Sequence, residues 1–110
     1  MSVKMISIAR DFSLSPAARY RKEGPNSGQR FREELLYPPL AAGQKVIVNL
    51  DGAVGYGSSF LEEAFGGLIR SGLTLDELES RLTIESKLAT YKNRVWRYIR
   101  SAAALARPRG

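Results

Sequence analysis

The stretch 49–69 gathers the residues best suited to chemistry: Asp51, the turn glycines Gly52, Gly55 and Gly57 with Tyr56 between them, the hydroxyl pair Ser58 and Ser59, and the carboxylates Glu62 and Glu63. A glycine-rich backbone running into a helix start leaves N–H groups pointing outward. Such a place suits a phosphate, a capping side chain or the docking surface of a partner. The nucleotide fingerprints G-x-x-x-x-G-K-[ST] and G-x-G-x-x-G are both absent, and no lysine follows the loop, which argues against an autonomous nucleotide site. Ser59 and Glu62 satisfy S-x-x-E, the reciprocal capping pattern, so Ser59 is expected to close its own helix. The competing reading is a phosphorylation switch at Ser58 or Ser59. A helix N-terminus favours the added negative charge, while Glu62 and Glu63 in the first turn oppose it. Asp51 falls just past a strand, at the end where α/β folds place ligands, and is read as a turn residue accepting from backbone N–H groups. No second carboxylate has a spacing that pairs with it for acid–base work.

Composition narrows the chemistry further. The chain of 110 residues has no cysteine and no histidine. Disulfides, thiolate or imidazole metal sites, cysteine nucleophiles and serine–histidine relays are thereby excluded within this chain. Neither a metal nor a cofactor is expected, and the residue types argue against an enzyme. No apolar run approaches the roughly 20 residues that span a bilayer, and the first eight residues lack a signal-peptide pattern. These features predict a cytoplasmic protein with no membrane partner.

A net charge of +6 raises nucleic acid as an alternative partner. The bases fall in two groups: Arg19, Arg21, Lys22, Arg30 and Arg32, then Lys87, Lys92, Arg94, Arg97 and Arg100. In the second group Arg94, Arg97 and Arg100 recur every three residues and can share a helix side, with Tyr91, Trp96 and Tyr98 among them. Aromatic rings amid bases can stack nucleobases. At helical spacing they more commonly fill a core, and Trp96 alone falls off the apolar stripe.

The elements that must position these residues follow from periodicity. Alternation over 4–12 predicts a first strand, and residues 13–23 leave room for one or two more. A helix over 29–36, capped by Ser27 or Asn26, is expected to stop at Tyr37-Pro38-Pro39. Phe31 and Leu35 should seat it on the core. The clearest strand is 45–50, with Val46, Val48 and Leu50 on one face and Ile47 on the other, which predicts burial on both sides. A second helix over 59–70 buries Leu61, Ala64, Phe65, Leu68 and Ile69. Gly66 and Gly67 inside it cost roughly 1 kcal/mol each relative to alanine, a cost that close approach to the sheet would offset. Residues 74–79 suggest a helical turn, 81–86 a third strand, and 87–105 a last helix with Leu88, Tyr91, Val95, Tyr98, Ile99 and Ala102 inward. This order predicts a single α/β layered domain over 1–106, with a mixed or mostly parallel sheet of about four strands, and a short basic tail over 107–110.

These residues resemble the STAS-like family of domain of unknown function 4325. The resemblance rests on Asp11-Phe12-Ser13, Arg19-Tyr20-Arg21, Glu23-Gly24-Pro25, Ser27-Gly28, Phe31-Arg32-Glu33 and, above all, the block from Asn49 through Gly55-Tyr56-Gly57-Ser58-Ser59 to Gly67. It implies a STAS-like fold. In STAS domains of the anti-sigma-factor-antagonist type, a serine at a helix start is phosphorylated by an ATP-binding partner kinase, and that state decides which protein is bound. The resemblance carries that role to Ser58 or Ser59 and implies a histidine-kinase-like ATPase or related regulator as partner. Those antagonists usually have Asp before the serine pair, where this chain has Gly57. The resulting expectation is a non-catalytic interaction module, docking a partner through Asp51, Tyr56, Gly57, Ser58, Ser59, Glu62 and Glu63. The alternative is a basic nucleic-acid-binding module using Lys92, Arg94, Trp96, Arg97 and Arg100.

Overall fold

In the computed structural model, which describes residues 2–106, three strands form a wholly parallel sheet in the order β1-β2-β3. They are β1 (Val3–Ser7), β2 (Lys45–Asn49) and β3 (Leu82–Glu85). Helix α1 (28–41) crosses from β1 to β2; α2 (58–70) and α3 (Leu75–Arg81) cross from β2 to β3; α4 (Ala89–Ala106) follows. The sheet has three strands rather than about four. Residues 13–23 hold no strand, only an irregular loop ending in the single turn Arg21–Glu23. The basic tail expected over 107–110 lies outside the described residues.

Strand order that follows chain order has a direct consequence. Right-handed crossovers stepping in one direction lay α1 and α2 on the same side of the sheet. Ile6, Val46, Val48, Leu82 and Ile84 point to that side and are buried. The opposite face carries Val3, Met5, Lys45, Ile47 and Thr83, with Met5 55% exposed. The strand β2 is therefore central but covered on one face only, and Ile47 is half-buried instead of enclosed.

The first strand is shorter than alternation suggested. After Ser7 the chain turns through one wide helical turn, Ile8–Phe12, where Ser7 accepts from the Arg10 N–H and Asp11 accepts from the Ser7 N–H at 2.8 Å. Ser27 caps α1 by accepting from the Arg30 N–H at 3.1 Å.

That helix does not stop at Tyr37-Pro38-Pro39. The Tyr37 N–H reaches back five residues to the Arg32 carbonyl, forming a π-bulge over Arg32–Leu36. The bulge restarts the helix, so both prolines sit in a first turn that needs no N–H donor. The extra residue also rotates the apolar face. Phe31, Leu36 and Leu40 are fully buried, whereas Leu35 is only half-buried.

Helix α2 has the same device over Glu62–Gly66, lying beside the first. Thr74 caps α3 in a reciprocal box with Glu77. Val95, Ile99 and Ala102 seat α4 on the core, Tyr91 and Tyr98 are half-buried, and Leu88, which precedes the helix, is exposed. The aromatic centre is Phe12, Phe31, Phe60 and Phe65, with Phe12 and Phe31 packed edge to face at 5.3 Å.

Candidate functional site

The loops after β1, β2 and β3 meet at the carboxyl ends of the strands, where open parallel sheets present ligands and partners. Hydrogen bonds tie them together. The Val54 N–H donates to the Leu14 carbonyl at 2.9 Å, and the Lys87 N–H donates to Asp51 Oδ1 at 2.9 Å. Asp51 also donates its own N–H to Asn49 Oδ1 at 2.8 Å, a local turn that brings its carboxylate to the loop after β3. Gly52, at φ +95°, supplies the left-handed step this turn requires.

Tyr56 points inward. Its hydroxyl donates to the Leu50 carbonyl at 2.7 Å, and its ring meets Tyr91 edge-on at 5.2 Å. Burial, reinforced by the charge of Asp51, pushes the Tyr56 hydroxyl well above its ordinary value. The ring thus anchors the turn as a neutral donor and is no part of the accessible surface.

Ser58 and Ser59 are exposed at the start of α2. The expected serine cap is not formed: the N-cap is Gly57, with no side chain to donate or accept, and Ser59 already lies inside the helix. Glu62 does not reach back to the helix start because three arginines claim the acidic pair. Arg70 Nη1 donates to Glu62 Oε2 at 2.8 Å, and Arg19 donates to Glu62 Oε1. Arg32 Nη1 donates to Glu63 Oε2 at 2.7 Å and also to the Glu63 backbone carbonyl. The π-bulge explains the second bond. The Gly67 N–H bonds the Glu62 carbonyl five residues back, leaving the Glu63 carbonyl without its usual helical donor. The Arg32 guanidinium takes that place.

Gly67 is glycine for the same reason, since a Cβ there would lie 2.7 Å from Arg32 Cζ. The glycine pair in α2 thus makes room for an arginine from α1, not for the sheet. Gly66 similarly clears the Glu62 carboxylate, which would sit 2.5 Å from a Cβ.

The hydrogen bond from Arg70, helped by Arg19, holds the Glu62 carboxyl below its ordinary value of 4.5, against the opposing effect of burial. A carboxyl depressed on folding stabilises the fold above its unfolded value, and that contribution disappears as pH falls through the folded value. The urea midpoint should therefore be level from neutral pH to about pH 5 and decline below about pH 4.5. Arg70→Ala should remove part of that acid decline, read as a shallower slope of midpoint against pH.

The two basic groups have opposite fates. The arginines of the first group, Arg19, Arg21, Arg30 and Arg32, are all engaged by carboxylates, Arg21 reaching both Glu33 at 2.9 Å and Glu34 at 3.1 Å, while Lys22 makes no ion pair among the described residues. Lys92, Arg94, Arg97 and Arg100 make no ion pair among the described residues. Arg100 lies 5.7 Å from the Trp96 ring centroid and Arg97 5.7 Å from that of Tyr98. Trp96 is half-buried, with Arg100 over its ring.

Sequence reasoning missed three residues on the rim: Leu14 (61% exposed), Val54 (82% exposed) and Leu88 (60% exposed). The available signal was local, because a valine held between Gly52 and Gly55 belongs to neither a strand nor a helix face. Among the described residues no group of His, Cys, Asp or Glu is arranged to hold a metal ion. No helix among them is long and apolar enough to cross a membrane.

A three-stranded parallel sheet with helices on one face, and an exposed serine pair opening a helix beyond its carboxyl ends, define a small α/β layered domain. The family described as STAS-like domain of unknown function (DUF4325) matches residues 27–87. The chain belongs to that family. The match takes in the whole block from Asn49 to Gly67, together with Ser27-Gly28 and Phe31-Arg32-Glu33; the resemblances before Ser27 and after Lys87 fall outside it. No curated protein and no solved structure matches the chain.

Proposed function

We propose that this STAS-like domain is a non-catalytic regulatory module, working in the cytoplasm, that docks a partner protein through the rim at the carboxyl ends of its strands. Leu14, Val54 and the start of α2 form the contact, and Ser58 or Ser59 is the point at which phosphorylation controls it. The observation that carries this reading is the exposed serine pair at an uncapped helix start, beside exposed Leu14 and Val54. Exposed apolar side chains rimmed by polar groups are typical of protein interaction sites. A phosphate there would add about two negative charges next to a surface that must lose water on docking. Glu62 and Glu63 offer less opposition to that charge than their positions in the first turn imply, because Arg19, Arg32 and Arg70 already neutralise them.

By resemblance, the partner is a histidine-kinase-like ATPase or a related regulator. The test is affinity capture with wild-type, Val54→Asp, Ser58→Ala/Ser59→Ala and Ser58→Glu/Ser59→Glu chains, with bound proteins identified by mass spectrometry. Val54→Asp should reduce capture of an ATP-binding partner at least about tenfold, the ratio equivalent to 1.4 kcal/mol. The glutamate pair should change capture, and the wild type should gain one phosphate when incubated with that partner and ATP. If the serine variants behave as wild type while Val54→Asp fails, docking stands and the switch falls. Equal capture by all four chains overturns both.

A further inference from the structure

We infer that α4 is a binding surface for the phosphate backbone of duplex nucleic acid, separate from the docking rim. The helix Ala89–Ala106 contains Lys92, Arg94, Arg97 and Arg100 and not one carboxylate. The fold makes this asymmetry meaningful. The arginines of the first basic group are engaged by Glu33, Glu34, Glu62 and Glu63. Of the cations without an ion pair among the described residues, Lys4, Lys22 and Lys45 are scattered, whereas Lys92, Arg94, Arg97 and Arg100 gather on α4 with Lys87 just before it.

Val95, Ile99 and Ala102 are buried against the core, which turns Arg97 and Arg100 to solvent with Lys92 and Arg94 flanking them. From Lys92 to Arg100 the helix rises about 12 Å. Duplex DNA presents one negative charge per about 1.7 Å of its axis, so several phosphates fall within that reach. Each of Arg97 and Arg100 has its guanidinium 5.7 Å from an aromatic centroid, Tyr98 and Trp96 respectively, contacts that modestly favour one orientation at an exposed site.

The same geometry selects among polyanions. The apolar stripe of α4 is already in the core, which leaves Leu105 as its single exposed large apolar side chain, too little to anchor the helix in a lipid surface. Around the arginines the exposed residues Lys92, Asn93, Arg97, Arg100 and Ser101 are all polar. Leu105 stands alone at the far end of the helix, short of the apolar cluster that centres a protein interface. Trp96 is half-buried with Arg100 over its ring, which disfavours base stacking on single strands and favours sequence-independent backbone contact.

The experiment is fluorescence anisotropy of the full chain with a short labelled mixed-sequence duplex over a salt series. Binding should fall with a slope of log K against log salt near −3 to −4, or on the order of a hundredfold between about 50 and 200 mM salt. Arg97→Glu/Arg100→Glu should abolish it, and Arg97→Lys/Arg100→Lys should retain most of it. Lys4→Glu/Lys45→Glu changes net charge by the same amount on the strands, and should leave most of the affinity. Circular dichroism establishes that each variant is folded.

Equal losses in both glutamate pairs would reduce the effect to net charge and overturn the site. Tighter binding to phosphatidylserine vesicles, polyglutamate or single-stranded DNA than to the duplex would overturn the assignment of ligand. No binding at low salt would overturn it outright.

Discussion

Replacing Glu63 with alanine should lower the stability of the domain by about 3 kcal/mol, the largest loss expected from any single side chain outside the apolar core. Glu63 is 6% exposed and Arg32 8% exposed. Arg32 was brought into this place by two coincident π-bulges, and it satisfies both the Glu63 carboxylate and the Glu63 carbonyl. Without the carboxylate, the guanidinium keeps that carbonyl and only a distant contact to Glu33 at 4.0 Å. Its charge would stay largely out of water with no close counter-ion. Breaking one half of such a pair is costly because the remaining charge is uncompensated, whereas removing both halves is often close to neutral. Glu63→Leu combined with Arg32→Met should therefore recover most of the loss. The measurement is the thermal or urea midpoint, with about 4 °C expected per kcal/mol for a chain of this size. A double variant as unstable as Glu63→Ala would show that packing around Gly67, and not charge pairing, dominates.

Gly28→Ala should also destabilise, by about 2 kcal/mol, although helix propensity alone predicts the opposite sign. Gly28 is the first residue of α1, and alanine there would stabilise a helix by up to about 1 kcal/mol. A Cβ at this position would meet the Phe60 carbonyl oxygen at 2.5 Å and the Ala64 N at 3.1 Å. Both are backbone atoms of α2, so no side-chain rotation relieves the clash. The two helices would have to separate, and separation would disturb the Phe31–Phe60 contact at 6.0 Å and the Arg32–Glu63 pair together. Gly24→Ala is the matched control, since a Cβ there meets nothing within 4 Å. A Gly28→Ala midpoint equal to or above wild type would mean that the helix crossing can widen without loss.

Both predictions depend on a helix crossing that periodicity could not reveal. Apolar spacing reads one helix at a time at 3.6 residues per turn, and a π-bulge adds a residue that shifts everything beyond it. Leu35 therefore looked like a core residue beside Phe31, while Leu36 and Leu40 took that role. The prolines at 38 and 39 looked like a helix stop for the same reason: without the bulge, their missing N–H groups and ring clashes would end the helix. The glycines at 66 and 67 announced a close approach, but only the three-dimensional arrangement identified Arg32 as what approached.

The chain by itself determined the α/β class, the alternation of strands with helical crossovers, and the position of the glycine turn before α2. These are local properties, set by side-chain period, turn chemistry and proline or glycine placement. The missing histidines and cysteines closed off whole classes of chemistry by residue type alone. Tertiary structure decided what depends on distant neighbours. It left one sheet face open because all crossovers step the same way, and it drew Glu62 away from Ser59 by offering it Arg19 and Arg70. It also drew the arginines of one basic group into ion pairs while bringing no carboxylate to those of α4. A charge's partner is chosen by proximity in space, and spacing along the chain carries no record of residues that lie on another helix.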